Sequence, residues 1–141
     1  MNERVDYLAE RINLTEDGCW LWTRAVTGKP PKDYGQLWFK KQRSLAHRFA
    51  YETLVGPIPE GLTIDHLCRR ARCVNPDHLE PVTNRENILR GVGLAAQRAR
   101  QTHCVHGHAF DAANTGIRPD GRRDCRACAR ERMRRKRVVA A

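Results

Sequence analysis

Six cysteines and six histidines are unevenly distributed along this 141-residue chain. Cys68 and Cys73 lie close together, and a second group contains Cys104 followed by the closely spaced pair Cys125 and Cys128. Two cysteines separated by two residues, with an upstream cysteine and a nearby histidine, are typical of zinc sites. A chain of this length usually needs a metal, a disulfide or a partner to supplement its hydrophobic core. We therefore expect one modest domain or two very small ones, stabilised by metal.

The hydropathy pattern excludes an integral membrane protein. No apolar run approaches the roughly 20 residues of a membrane span, and the N-terminal residues lack the apolar stretch of a signal peptide. Without an export signal, cysteines are expected to bind metal rather than form disulfides. The sequence therefore predicts a cytoplasmic protein.

The positive charge of the chain is concentrated in its second part. The net charge is +10, of which residues 1–88 contribute +1 and residues 89–141 contribute +9. One-sided basic charge is typical of proteins that bind nucleic acid, and arginine suits phosphate better than lysine does. The alternative interpretation is a solvated tail that keeps the protein in solution. The residues predicted to contact phosphates at the basic end are Arg126, Arg130, Arg132, Arg134, Arg135, Lys136 and Arg137.

The spacing of apolar and turn residues predicts an α+β chain made of short elements. We expect a helix over 3–13, a helix from Leu45 to about Val55 with Ser44 as its N-cap, and a helical Arg-rich end. Thr83 and Glu86 form a capping box, which starts a further helix at Asn84. Glycines after that helix predict a linker, so that residues 1–91 form one domain and 92–141 form an extension. The predicted strands cover residues 19–22, 34–39, 62–66 and 79–83.

The densest group of polar residues runs from Asp65 to Asn87. His66 ends a predicted strand, and Asn87 lies in the first turn of the helix that follows, 21 residues later. Over about residues 19–91, this arrangement resembles the HNH or His-Me finger endonucleases of bacteriophages and mobile introns. The spacing of its cysteines and histidines is similar to that of the His-Cys box homing endonucleases. The resemblance implies a small zinc-stabilised ββα-metal nuclease fold, followed here by a C-terminal zinc knuckle and a basic helix.

The resemblance also implies roles for the residues around His66. His66 matches the general base, and Asn87 matches a ligand of the catalytic Mg²⁺ or Mn²⁺. Imidazole accepts a proton near neutral pH, and a hard cation bound by oxygen ligands offsets charge on the phosphate. Asp65 matches a second ligand of this cation; alternatively, it is a carboxylate that orients a neighbouring side chain.

Two zinc sites are expected. In the His-Cys box pattern, His78 takes the place of a structural zinc ligand; alternatively, it orients the catalytic histidine and Cys19 is a free thiol. The second site uses His108, as similar phage proteins do, with His103 and His106 as substitutes. The predicted ligand sets are Cys19, Cys68, Cys73 and His78 for the first zinc, and Cys104, His108, Cys125 and Cys128 for the second.

Two kinds of function remain in competition at this point. The first is a metal-dependent endonuclease of double-stranded DNA that nicks or cuts both strands and leaves 5′-phosphate ends, in homing, packaging or restriction. The second is a non-catalytic zinc-containing protein that binds DNA as a regulator. Arg48 follows His47 as in phage relatives, where the arginine can meet a phosphate; alternatively, it is a helix-surface residue. The resemblance places the protein in the cytosol of a bacterial host, as a monomer or a homodimer.

Overall fold

The computed structural model describes residues 2–30 and 32–139. Its contacts divide the chain into a first unit, Met1–Arg90, and a second unit, Gly91–Ala141. The helices of the described residues are α1 (Glu3–Ala9), α2 (Ala46–Leu54), α3 (Asn84–Arg90), α4 (Leu94–Arg100) and α5 (Arg126–Val139). The strands are β1 (Ile12–Leu14), β2 (Trp20–Trp22), β3 (Val26–Thr27), β4 (Tyr34–Phe39), β5 (Gln42–Leu45), β6 (Leu62–His66), β7 (Leu79–Thr83), β8 (Thr115–Ile117) and β9 (Arg123–Cys125). The predicted α+β class is confirmed.

In its described residues, the first unit contains three small antiparallel sheets around one apolar core. β1 pairs with β2, β4 lies between β3 and β5, and β6 pairs with β7. Close packing of β4 against the core requires a glycine, because a Cβ on Gly35 would lie 2.7 Å from the Trp22 ring and 2.8 Å from the Ala46 Cβ. The buried core cluster consists of Leu8, Trp22, Leu37, Ala46, Phe49, Ala50 and Val74.

Two of the local predictions were wrong. The first helix ends at Ala9 rather than residue 13, because Ile12–Leu14 pairs with Trp20–Trp22 as a strand. Ser44 does not cap α2: it lies in β5 opposite Leu37, and α2 begins without a side-chain cap. In both places the backbone N–H and C=O groups that the local pattern assigned to a helix are hydrogen-bonded to a neighbouring strand instead.

The second unit consists of α4, the β8–β9 hairpin and α5. Glycines at 91 and 93 predicted only a linker, but Gly93 precedes α4 as its N-cap residue. α4 buries Ala96 completely. Among the described residues, no helix of either unit is long and apolar enough to cross a membrane.

Candidate active site and two candidate metal centres

The β6–β7 hairpin and α3 position the polar residues predicted to carry chemistry. β6 and β7 pair in register from Leu62 with Thr83 to His66 with Leu79. The predicted capping box is present: Thr83 Oγ1 accepts a hydrogen bond from the Glu86 N–H at 3.2 Å, and Glu86 Oε2 accepts one from the Thr83 N–H at 3.0 Å. α3 therefore begins directly after β7 and packs against β6.

Asn87 and His66 consequently lie on adjacent elements. Asn87 occupies the first turn of α3 and is half-buried. His66 is the last residue of β6, the strand against which α3 packs. The hairpin followed by a helix is the ββα arrangement that the sequence predicted around these two residues.

The His66 imidazole is held in one orientation and kept neutral. The side chain is buried, and its Nε2 lies 3.1 Å from the backbone carbonyl oxygen of Cys73. Since a carbonyl oxygen only accepts, Nε2 must carry the proton, which leaves the Nδ1 lone pair as the acceptor. Burial lowers the pKa of His66 below its usual value, so the ring is unprotonated at neutral pH. A neutral, oriented imidazole is chemically suited to accept a proton.

Asp65 is buried and meets two arginines that were not predicted from the sequence. Arg69 Nη1 donates a hydrogen bond to Asp65 Oδ1 at 3.0 Å, and Arg90 Nη1 lies 3.6 Å from Oδ2. Arg90 also pairs with Glu80 on β7. No pattern singled out Arg69 or Arg90, because the chain contains 26 Lys and Arg residues in all. The arginines offset the charge of a carboxylate that is only 3% exposed.

One oxygen of Asp65 remains open to a further partner. Asp65 Oδ2 is buried and accepts no hydrogen bond within the described part of the chain. A buried acceptor without a hydrogen bond is costly, even with Arg90 Nη1 3.6 Å away, and a carboxylate oxygen is a preferred ligand of Mg²⁺ and Mn²⁺. Asp65 Oδ2 can therefore serve as one oxygen ligand of a divalent cation.

His47 and Arg48 lie on α2, next to the hairpin. The buried His47 ring is 4.8 Å from the His66 ring and 5.4 Å from the Tyr34 ring. Burial lowers the pKa of His47 to about 3, and its Nδ1 has no hydrogen-bond partner among the described residues. Arg48 is half-buried and forms no hydrogen bond or ion pair with a described residue. Its guanidinium group is thus available to an anion.

The first candidate metal centre brings together Cys19, Cys68, Cys73 and His78. His78 Nδ1 lies 3.5 Å from Cys19 Sγ and 3.6 Å from Cys73 Sγ. A tetrahedral zinc with Zn–S of about 2.3 Å and Zn–N of about 2.0–2.1 Å separates sulfur from nitrogen by about 3.5 Å. Burial raises the pKa of the Cys73 thiol to about 12, so a thiolate there needs a cation. These residues can hold a zinc ion.

Backbone pairing explains how residues so far apart in sequence meet at the first centre. The Trp22 N–H bonds the Arg72 carbonyl at 2.9 Å, and the Val74 N–H bonds the Trp20 carbonyl at 2.8 Å. The loop that carries Cys73 is thereby attached to the strand that follows Cys19. Buried Asn75 strengthens the junction, since its Nδ2 donates to the Gly18 carbonyl at 2.7 Å.

The second candidate metal centre brings together Cys104, His108, Cys125 and Cys128. His108 Nδ1 lies 3.3 Å from Cys128 Sγ and 3.5 Å from Cys104 Sγ, whereas His103 and His106 are not in the cluster. The Cys128 backbone N–H, at the start of α5, is the main cause that lowers the pKa of Cys125 to about 6. That thiol is therefore inclined to ionise and bind metal.

Comparison with known proteins accounts for part of this geometry. Residues 44–89 match the family model described as HNH endonuclease. Residues 44–89 form an HNH domain. The resemblance predicted from the sequence is confirmed for this segment, which includes α2, the β6–β7 hairpin and nearly all of α3. The HNH domain contains Asp65, His66 and Asn87, but neither Cys19 nor the second metal centre.

The curated relatives to which the chain is similar come from bacteriophages. It is similar to Protein 2.8 of Escherichia phage T7, with 34% identity over 85 residues, which are 60% of this chain and 57% of the relative. Protein 7.7 of the same phage is 35% identical over 71 residues, 50% of this chain and 52% of the relative. The uncharacterized gene 5.3 protein of Enterobacteria phage T3 is 37% identical over 51 residues, 36% of this chain and 50% of the relative. The chain thus spans about half the length of these relatives. No solved structure matches it significantly.

Proposed function

We propose that the protein is a metal-dependent endonuclease that hydrolyses phosphodiester bonds of double-stranded DNA. The observation that carries the proposal is the hydrogen bond from His66 Nε2 to the Cys73 carbonyl, which leaves Nδ1 of a neutral, buried imidazole as the acceptor. A protein that only bound DNA would not need an oriented base at this place. The HNH match over the same segment supports this assignment.

In the proposed reaction, His66 Nδ1 takes a proton from a water molecule. The water oxygen bonds to phosphorus in line with the 3′ oxygen, whose bond to phosphorus breaks. The 3′ oxygen takes up a proton from solvent water, so the products are a 5′-phosphate end and a 3′-hydroxyl end.

Asp65 and Asn87 are the proposed ligands of one Mg²⁺ or Mn²⁺. Asp65 offers Oδ2, which accepts no hydrogen bond within the described part of the chain, and Asn87 offers a neutral amide oxygen from the first turn of α3. The cation, when bound, offsets negative charge on the phosphate and on the departing oxygen. Arg48, whose guanidinium has no partner among the described residues, is proposed to contact a DNA phosphate.

The two Cys/His clusters are proposed to hold structural zinc ions. The donor atoms of each cluster lie within 4.8 Å of one another, and the sulfur–nitrogen distances suit a tetrahedral ion. Structural zinc contributes folding free energy directly in small domains. The first zinc would tie Cys19 to the loop beside His66, and the second would hold the start of α5.

We further propose that the two parts of the chain have different functions. Residues 1–91 form the nuclease domain, and residues 92–141 form a zinc-knuckle extension whose basic helix contacts DNA. Because its curated relatives are bacteriophage proteins, we propose that the protein acts in the cytosol of a bacterial host. A monomer and a homodimer are both compatible with this proposal.

Supercoiled plasmid tests the proposal directly. The wild-type protein should convert it to nicked or linear DNA with Mg²⁺ and not after EDTA treatment. His66→Ala should lower the rate by roughly 10²–10⁴-fold, the usual cost of losing a general base, while zinc content and DNA binding persist. His106→Ala, at an exposed histidine outside both clusters, is the matched control.

The gel distinguishes the remaining outcomes. Wild-type turnover in His66→Ala would remove this residue from the mechanism. A zinc-loaded wild-type protein that binds DNA but never cleaves it would support the alternative, a non-catalytic DNA-binding protein.

A further inference from the structure

Helix α5 presents two chemically different faces. With about 100° between successive residues, Glu131, Arg132 and Arg135 share the side of the zinc-ligand candidate Cys128. These three residues line a depression beside the second metal centre. We call this side of α5 the inner face.

The basic residues of the inner face are engaged within their own unit. Arg135 Nε donates a hydrogen bond to Glu131 Oε1 at 3.1 Å. Arg132 Nη2 lies 3.9 Å from Asp124 Oδ1, on the neighbouring strand β9. Both arginines therefore have an acidic partner close to the Cys/His cluster.

The opposite side of α5 has no acidic residue. This outer face consists of Ala129, Arg130, Met133, Arg134 and Arg137, which line a shallow groove along the helix. Within the described chain, neither Arg130 nor Arg137 forms a hydrogen bond or ion pair, whereas Arg134 reaches Glu131 at 3.0 Å. Met133 is 58% exposed between the arginines. The outer face thus carries two arginines without an acidic partner among the described residues, Arg130 and Arg137, on either side of an exposed apolar side chain.

The dimensions of the outer face suit a groove of duplex DNA. A helix of 14 residues is about 21 Å long and about 10–12 Å wide, and the major groove is about 12 Å wide. Arg130 and Arg137 lie two turns apart, about 10 Å along the axis. Phosphates are the natural partners of unpaired arginines, and exposed apolar side chains can contact the methyl group of thymine.

We propose that the outer face of α5 enters the major groove of duplex DNA, with Arg130 and Arg137 on phosphates and Met133 toward the bases, while Arg132 and Arg135 stay with the zinc unit. This inference rests on the proposed function for its choice of duplex DNA. It divides five of the basic residues that the sequence assigned to DNA by face, with Arg130, Arg134 and Arg137 on the outer face and Arg132 and Arg135 on the inner face.

Two double variants of equal charge test the proposal. Arg130→Ala/Arg137→Ala and Arg132→Ala/Arg135→Ala each remove two positive charges from α5. Affinity of the full chain for a short duplex is measured without Mg²⁺ at several salt concentrations, so that cleavage plays no part. The slope of log affinity against log salt should fall by about 1.8 for the outer pair, at about 0.9 per lost phosphate contact, and stay unchanged for the inner pair. Zinc content shows that each variant retains its second unit.

A variant of Met133 and two ligands other than duplex DNA test the proposal further. Met133→Ala should weaken duplex binding several-fold without changing the salt slope, because it removes no charge. Equal losses of slope in the two double variants, or none in the outer pair, would overturn the proposal. So would an outer-pair defect seen with single-stranded RNA or phosphatidylserine vesicles but not with duplex. If the outer pair behaves as expected but the wild-type protein never cleaves plasmid, the groove assignment stands and the nuclease proposal fails.

Discussion

Replacing His47 by glutamine tests how one buried imidazole sets the acid stability of the first unit. His47 is 5% exposed. Burial, the neighbouring His66 and the Arg48 cation all lower its pKa, to about 3. In the unfolded chain the pKa of a histidine is about 6.5. Between about pH 6.5 and pH 3, His47 is therefore protonated in the unfolded state but neutral in the folded state.

The sign and size of the effect follow from these two values. The contribution of neutral His47 to stability is complete above about pH 6.5 and is lost as the pH falls toward 3. At about 1.4 kcal/mol per pH unit, acidification from pH 7 to pH 5 should cost about 2 kcal/mol through His47 alone. Glutamine does not titrate, so His47→Gln should lose about 2 kcal/mol less than the wild-type protein over this range.

Tryptophan fluorescence isolates the unit in which this change occurs. The three tryptophans of the chain, Trp20, Trp22 and Trp38, all lie in the first unit. Urea unfolding followed by their emission at pH 7, 6 and 5 gives the stability of each protein. Protonation of zinc ligands affects both proteins alike and cancels in the difference. His106→Gln, at an exposed histidine, should lose as much as the wild type. Equal losses in wild type and His47→Gln would refute the reasoning.

Two further predictions concern metal and packing. Elemental analysis should find about two zinc ions per chain. Cys68→Ser should lose the zinc of the first centre and unfold the tryptophan-containing unit. Cys125→Ser should lose the zinc of the second centre and leave tryptophan emission unchanged. One zinc in the wild type would exclude one of the two centres. Gly35→Ala should destabilise the first unit by about 1–3 kcal/mol in urea unfolding, because the new methyl group overlaps the Trp22 ring. Gly93→Ala, with open space around its Cβ, is the control, and equal stability of both variants would contradict this packing argument.

Short-range patterns predicted the elements that carry the site. The β6–β7 hairpin has the predicted bounds, and the Thr83–Glu86 capping box starts α3 as expected, because turn and capping chemistry is local. The helix predicted over residues 3–13 was wrong beyond Ala9, since a strand partner from residues 20–22 decides that segment. The spacing of apolar residues within one segment carries no information about a strand that pairs with it from elsewhere in the chain.

The sequence by itself determined which donor atoms are available for metal. The eight residues predicted as zinc ligands, of which Cys19, His78 and His108 were chosen on the resemblance to His-Cys box and phage proteins, are the eight that the structure brings together. Asp65, His66 and Asn87 were likewise found from a short motif, which the HNH match covers. In both cases the information lies in rare residues close together in the chain.

Only the tertiary structure shows which arginines form ion pairs and which polar side chains are buried. Arginines are too numerous for any pattern to show that Arg69 and Arg90 meet the Asp65 carboxylate, or that on α5 Arg135 is paired with Glu131. The sequence also did not show that His47 on α2 is buried against His66 on β6. Charge pairing and burial depend on what packs nearby, and residues distant in sequence supply those neighbours.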